Sequence, residues 1–94
     1  MFARVSTYQT SPGSAGKPSE ETVNRVLELP GCRGLYYLAG KDNKSLSISL
    51  WESEEALTGS QQAANRIRSE SAAEQQLQIL EVEEFEVLTW EAKD

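Results

Sequence analysis

The sequence predicts an α+β domain of split βαβ, ferredoxin-like order: a four-stranded antiparallel sheet with helices on one face. Three observations predict it. Segments of β-favouring and helix-favouring residues succeed one another as strand, helix, strand, strand, helix pair, strand. Two helix starts carry the same signal, a serine followed by two glutamates. The four polar residues KDNK, 41 to 44, sit between two apolar runs as a hairpin connection does.

Residues 2 to 9, FARVSTYQ, form the first strand, because Val5, Thr7 and Tyr8 favour extended backbone and Ser-Pro-Gly at 11 to 13 ends the run. The loop SPGSAGK, 11 to 17, has glycines at neither dinucleotide-binding nor P-loop spacing. Ser19 caps a helix over about 19 to 29. Glu20 and Glu21 lie in its first turn, where the dipole favours negative charge, and Pro30-Gly31 stops it. LYYLAG, 35 to 40, is apolar on both faces, as a strand covered on both sides would be. The third strand runs from about Lys44 to Glu52, with Ser45, Ser47, Ser49 and Trp51 on one face and Leu46, Ile48 and Leu50 on the other. Ser53, with Glu54 and Glu55, caps a short helix to Gly59, which breaks it before a longer one over about 60 to 77. The weak stripe Ala63, Ala64, Ile67 and Leu77 predicts a narrow buried seam on that helix. The last strand is read over 79 to 90, and the adjacent Glu83 and Glu84 predict a β-bulge or a change of face there.

With 94 residues the chain reads as one domain over 1 to 94, and a domain this small buries only about 60–65% of its unfolded surface. A second copy is an economical source of further burial. The net charge of −6 opposes a phosphate backbone, and no basic stripe with interleaved aromatics accompanies it, so nucleic acid is not an expected partner. The apolar runs are far shorter than the roughly 20 residues of a membrane span, and MFARVSTYQ reads as a strand rather than a secretory signal, so a cytoplasmic protein is expected. There is no histidine and only one cysteine, Cys32, which removes the commonest general base and the usual zinc ligands.

The faces of the sheet give a further expectation. Leu46, Ile48 and Leu50 most simply face the helices, which puts the serines and Trp51 on the open side. Phe2, Tyr8, Phe85 and Trp90 place aromatics on the sheet that one helix layer cannot all cover. A two-fold homodimer with its sheets facing each other resolves this, and the serine face then looks into the space between them.

FARVSTYQ, LPGCRGLYYLAG, LSISLWESEEAL and EEFEVLTW together resemble the antibiotic biosynthesis monooxygenase family of dimeric α/β barrel proteins. Trp-Glu-Ser-Glu-Glu-Ala-Leu, 51 to 57, is similar to that family's strand-to-helix junction. The resemblance implies a dimeric barrel that holds a small aromatic or enolisable molecule. It also implies, for some members, oxygenation with no metal or flavin. Members that degrade haem use an Asn, Trp and His set, and this chain has no histidine and no asparagine in its first strand. The expectation is a cofactor-free monooxygenase-like enzyme. The alternative is a dimer that binds a small molecule, or supports a partner, without chemistry.

The candidate pocket residues are Tyr8, Tyr36, Ser47, Ser49, Trp51, Asn65 and Arg66, and no catalytic base stands out. Trp51 matches the family's tryptophan after the third strand; the others are candidates by residue type. Each has a structural reading as well. Trp51 would pack on the following helix. Tyr36 and Tyr37 point to opposite faces, so at most one lines a pocket. Arg66 and Arg68 would form solvated ion pairs with Glu70 and Glu74. Glu81, Glu83, Glu84 and Glu86 would keep a sheet edge from aggregating.

Overall fold

The protein is described by a computed structural model covering residues 1–14 and 17–93. Ala15 and Gly16, in the loop read over 11 to 17, lie outside the described residues. The elements are β1 (Phe2–Gln9), α1 (Glu20–Leu27), β2 (Cys32–Ala39), β3 (Lys44–Trp51), α2 (Glu54–Gly59), α3 (Gln61–Gln75) and β4 (Gln78–Glu86). The sheet order is β2-β3-β1-β4 with every neighbouring pair antiparallel, so β1 is central and β4 and β2 are the edges. This is the α+β, ferredoxin-like fold that the order of segments predicts.

Local chemistry accounts for the boundaries. Ser19 accepts from the Thr22 amide and Ser53 from the Ala56 amide, each satisfying a donor that the first helical turn leaves free. Gln76 takes the left-handed conformation that closes α3. The hairpin between β2 and β3 turns through Asp42 and Asn43, both at positive φ, which these two residue types tolerate better than most. β2 begins at Cys32, three residues before the apolar run, because Cys32 pairs with Trp51 and a register shift before Gly34 absorbs Arg33. β4 ends at Glu86, short of the expected 90. It is irregular at Leu80, where Thr7 pairs with Glu81 and Tyr8 with Ile79; the pairing runs unbroken through Glu83 and Glu84. The bulge thus lies three residues before the expected place.

The two sheet faces are the reverse of the sequence expectation. Ser47, Ser49 and Trp51 are buried on the helix side, and they share it with Arg4, Ser6 and Tyr8 of β1. Leu46, Ile48 and Leu50 lie on the open side beside Val5, Tyr36 and Leu38. The pleat decides this as a set. Trp51, the bulkiest side chain of β3, has the parity of the serines, so covering the tryptophan completely carries the serines inward with it. Under the helices Trp51 reaches 0% exposure, and Leu57, Ala64, Ile67 and Ala72 supply the apolar cover. The helices bring small and polar groups to the remainder of this face: Thr22 from α1, and Ser71 and Gln75 from α3 are all buried.

The open face keeps an apolar surface. Tyr36, Leu38 and Phe85 are exposed there, and the segment after β4 comes back over one end, so that Trp90 lines a depression with Tyr36 and Leu50. Glu81, Glu83, Glu84 and Glu86 are all exposed on the edge strand β4, where charge discourages pairing with another chain.

Gly31 ends the connection into β2 with φ of 82°, and its carbonyl accepts from the Glu52 amide at 2.9 Å. A Cβ at this position would collide with that of Ala56. Gly31→Ala is therefore expected to lower stability by at least the roughly 1–2 kcal/mol of the left-handed backbone. Leu57→Ala, which opens the cover over the sheet, is expected to cost about 2–5 kcal/mol. Urea denaturation followed by far-ultraviolet circular dichroism measures both, and a Gly31→Ala midpoint equal to wild type would show that the turn tolerates a side chain.

Candidate functional site

Between the sheet and the helices lies a cavity of about 40 Å³. β1 contributes Arg4, Ser6 and Tyr8 to its wall, and β3 contributes Ser47, Ser49 and Trp51. Leu35 and Tyr37 of β2 line it as well, and Thr22 and Val26 of α1 with Ala64, Ile67, Arg68 and Ser71 of α3 close it from above. A volume of this size admits roughly three waters, since each needs about 10–15 Å³. A wider, open cleft of about 520 Å³ adjoins it, lined by Lys17, Pro18, Glu20 and Val23, and Leu35 and Tyr37 border both spaces.

Buried hydroxyls cost free energy unless they are bonded, and here each serine serves as a socket for a larger side chain. Tyr8 Oη and Ser47 Oγ are 2.8 Å apart, Trp51 Nε1 donates to Ser49 Oγ at 2.9 Å, and Arg68 Nε donates to Ser6 Oγ at 3.0 Å. On α3, Gln75 Nε2 donates to Ser71 Oγ at 2.8 Å. Among the described residues no buried side-chain nitrogen or oxygen lacks a partner. The rings are ordered too: Tyr8 and Tyr37 stack with centroids 6.3 Å apart and planes 7° from parallel.

Two guanidinium groups reach the cavity, and their surroundings differ. Arg4 is 2% exposed. It donates to the Leu57 carbonyl at 2.7 Å, to Ser60 Oγ at 3.4 Å and to Glu84 Oε2 through both Nε and Nη2, and it lies 5.4 Å from the centre of the Trp51 ring. Its charge is compensated and its position fixed. Arg68 instead stretches from the helix surface, where Nη1 donates to Asn65 Oδ1, inward to Ser6. Both of its partners are neutral. Burial lowers the Arg68 pKa first of all, and the nearby Arg4 adds to the lowering while Tyr8 and Tyr37 oppose it.

Of the residues singled out in the sequence, Tyr8, Ser47, Ser49 and Trp51 come together on one wall. Tyr36 does not join them, because it pairs with Ile48 on the open face and is 49% exposed; Tyr37, paired with Ser47, points inward in its place. Asn65 is on the exposed side of α3 and meets the site only through Arg68. Arg66 faces a shallow depression with Arg25, Glu28 and Leu29 on the outside of the helices. The expected pairing of Arg68 with acidic residues of its own helix is replaced, since Glu70 bonds Arg25 of α1 at 2.7 Å and Arg68 turns inward. Arg4, Ser6, Arg68 and Ser71 were not singled out for the pocket. The signal for the first two is parity, since positions 4, 6 and 8 share a face of β1.

No family model matches the sequence, and no curated protein matches it. Solved structures do. A protein from Deinococcus radiodurans described as a "putative antibiotic biosynthesis monooxygenase" matches all of this chain and 97% of its own, with a TM-score of 0.61 and 12% identity. One from Chloroflexus aurantiacus J-10-fl with the same description matches 97% of this chain and 96% of its own, with a TM-score of 0.58 and 13% identity. The chain has their fold. The resemblance seen in the strand-to-helix junction at 51 to 57 therefore extends to the architecture of nearly the whole length.

Among the cavity groups Tyr37 has the most displaced ionisation. Burial, helped by the nearness of Tyr8, pushes its phenol from 10.0 up to about 12, against smaller opposing contributions from Ser71 and Gln75. At neutral pH it is a hydrogen-bond donor and not a base. A folded-state pKa above the unfolded one means that the native protein keeps this proton while the unfolded chain loses it. The stabilisation is complete below about pH 10 and is lost as pH rises toward 12. Tyr37→Phe is expected to flatten that alkaline decline, measured as the thermal midpoint across pH 9 to 12; an unchanged slope would place Tyr37 outside the buried network.

Proposed function

We propose that the chain is an antibiotic biosynthesis monooxygenase-like protein of the cytoplasm that holds a small aromatic or enolisable molecule between sheet and helices. There it would direct the molecule's oxidation by dioxygen without metal or flavin. One observation carries the reading: a partly enclosed space between sheet and helices whose polar lining is hydroxyl and guanidinium donors, flanked by the stacked Tyr8–Tyr37 pair and by Trp51. Such donors stabilise an oxyanion in a site sheltered from water. The fold shared with the two bacterial structures supports the same reading.

In the proposed reaction the substrate is an electron-rich anion with a CH₂ group next to its enol or phenol system. Its carbon transfers electrons to O₂ and bonds to it, and the hydroperoxide formed loses water, so that CH₂ and O₂ become C=O and H₂O. The protein orients the anion through Arg68 and the hydroxyls and excludes bulk water. Tyr37, held protonated, donates to the oxygen that gathers charge. The cavity accepts the reacting edge of such a molecule, and the outer cleft past Leu35 and Tyr37 receives the rest.

A second reading, binding without conversion, is favoured by one feature: among the described residues no carboxylate lines the cavity to act as base. An oxygen electrode separates the two. With a panel of phenols and 1,3-dicarbonyl compounds, the first reading predicts uptake of one O₂ per molecule of product, reduced about tenfold or more in Tyr37→Phe. Saturable binding with no uptake for any compound supports the second.

The apolar open face supports a homodimer in which Leu46, Ile48, Leu50, Leu38 and Tyr36 meet a second copy. Sedimentation equilibrium at micromolar concentration is expected to give twice the chain mass, and Leu38→Glu, at an exposed position, is expected to give the monomer. A wild-type protein that sediments only as a monomer would leave that face without its proposed cover.

A further inference from the structure

We propose that the cavity selects a monoanion, seating its ionised oxygen on the Arg68 guanidinium while the remainder runs past Tyr37 and Leu35 into the outer cleft. The inference rests on the reading of this cavity as a small-molecule site, and it names the class of molecule.

The balance of charge inside the wall makes the case. Of its two cations, Arg4 is matched by Glu84 and has most of its donors spent on Glu84, Ser60 and the Leu57 carbonyl. Arg68 lines the same space with no carboxylate within ion-pair distance among the described residues, although the chain as a whole is acidic. Its two hydrogen bonds end on a serine hydroxyl and an amide oxygen, and Nη2 makes none among the described residues. A guanidinium offers five N–H donors in a planar fork suited to oxyanions, so this one retains donors for a ligand.

The neighbouring groups suit an anion. The hydroxyls of Ser71 and Tyr37, and one of the bonded Ser47–Tyr8 pair, can rotate to donate, and among the described residues no acidic side chain opposes a negative charge within the wall. Arg68 itself is held at a lowered pKa by burial, a cost that a bound anion relieves. Leu35 and Tyr37, shared by cavity and cleft, give an apolar passage for a ring between the charged end and the open space. An ionised phenol or enol and a carboxylate both present the required oxygen.

Binding by calorimetry tests this with two pairs of probes: para-nitrophenol, at a pH where it is ionised, against para-nitroanisole, and benzoate against benzamide. Each anion is expected to bind the wild-type protein about tenfold or more tightly than its neutral counterpart. The pair with the larger preference identifies phenolate or carboxylate as the source. Arg68→Gln is expected to abolish the preference, and Arg66→Gln, on the outer side of the same helix, to retain it. Neutral probes that bind wild type as tightly as the anions, or a preference that survives Arg68→Gln, overturn the proposal. The wild-type comparison stands without the variant if Arg68→Gln does not fold. If none of the four probes binds, the small-molecule reading of the cavity falls with it. A clear anion preference beside no oxygen uptake leaves the anion site standing and removes only the oxidation.

Discussion

The pleat of β3 is the constraint on which the rest of the structure depends. Trp51, Ser49 and Ser47 must lie on one side and Leu50, Ile48 and Leu46 on the other, so the helices can cover only one of the two sets. They cover the tryptophan. The consequence is a core whose sheet wall is made of hydroxyls and a guanidinium as much as hydrocarbon, and each polar group in it needs a partner. The serines meet that need by taking one large side chain each, which fixes Tyr8, Trp51 and Arg68 in place while leaving a small space between them. A site with oriented donors thus arises from the same alternation that forms the strand.

The other side of the pleat explains the surface. A sheet that turns Leu46, Ile48, Leu50 and Leu38 away from its helices has an apolar face with no cover of its own. In a domain of this size the missing burial is a large part of what folding can gain. Cavity and open face are therefore linked: substitutions on the leucine face alter the strand whose opposite side is the cavity wall. The Arg4 network joins the layers in a second way. One side chain ties β1 to Leu57 of α2, to Ser60 at the start of α3 and to Glu84 of β4, and it rests against Trp51.

Much of the fold was legible in the sequence because its signals are local. The serine caps at 19 and 53, the break at Gly59 and the polar hairpin at 41 to 44 each act within a few residues, and their elements stand close to the expected positions. The facing of the sheet was not legible in that way. The rule that apolar residues point to the core assumes one buried face, and β3 carries hydrocarbon on one side and a tryptophan with three serines on the other. Parity grouped Ser47, Ser49 and Trp51 even though the side of the sheet was reversed, since residues two apart stay together whichever way the strand faces, whereas Tyr8, a candidate by residue type, joins them through the β1–β3 register. The same parity admits Tyr37 and excludes Tyr36. Arg68 was hidden for a different reason: it was read as a solvated ion-pair partner on its own helix, and nothing local shows that it turns inward to Ser6 while Arg25 of α1 takes Glu70.

The central claim is that the space beside Trp51, under the helices, receives a small molecule. The two tryptophan indole N–H resonances in a proton–nitrogen correlation spectrum test it directly, because Trp51 Nε1 is bonded to Ser49 at the cavity wall and Trp90 lies on the opposite side of the sheet. Titration with benzoate is predicted to move the Trp51 resonance saturably and to leave that of Trp90 in place. A response confined to Trp90, or none at Trp51 when binding is saturated, would contradict the account.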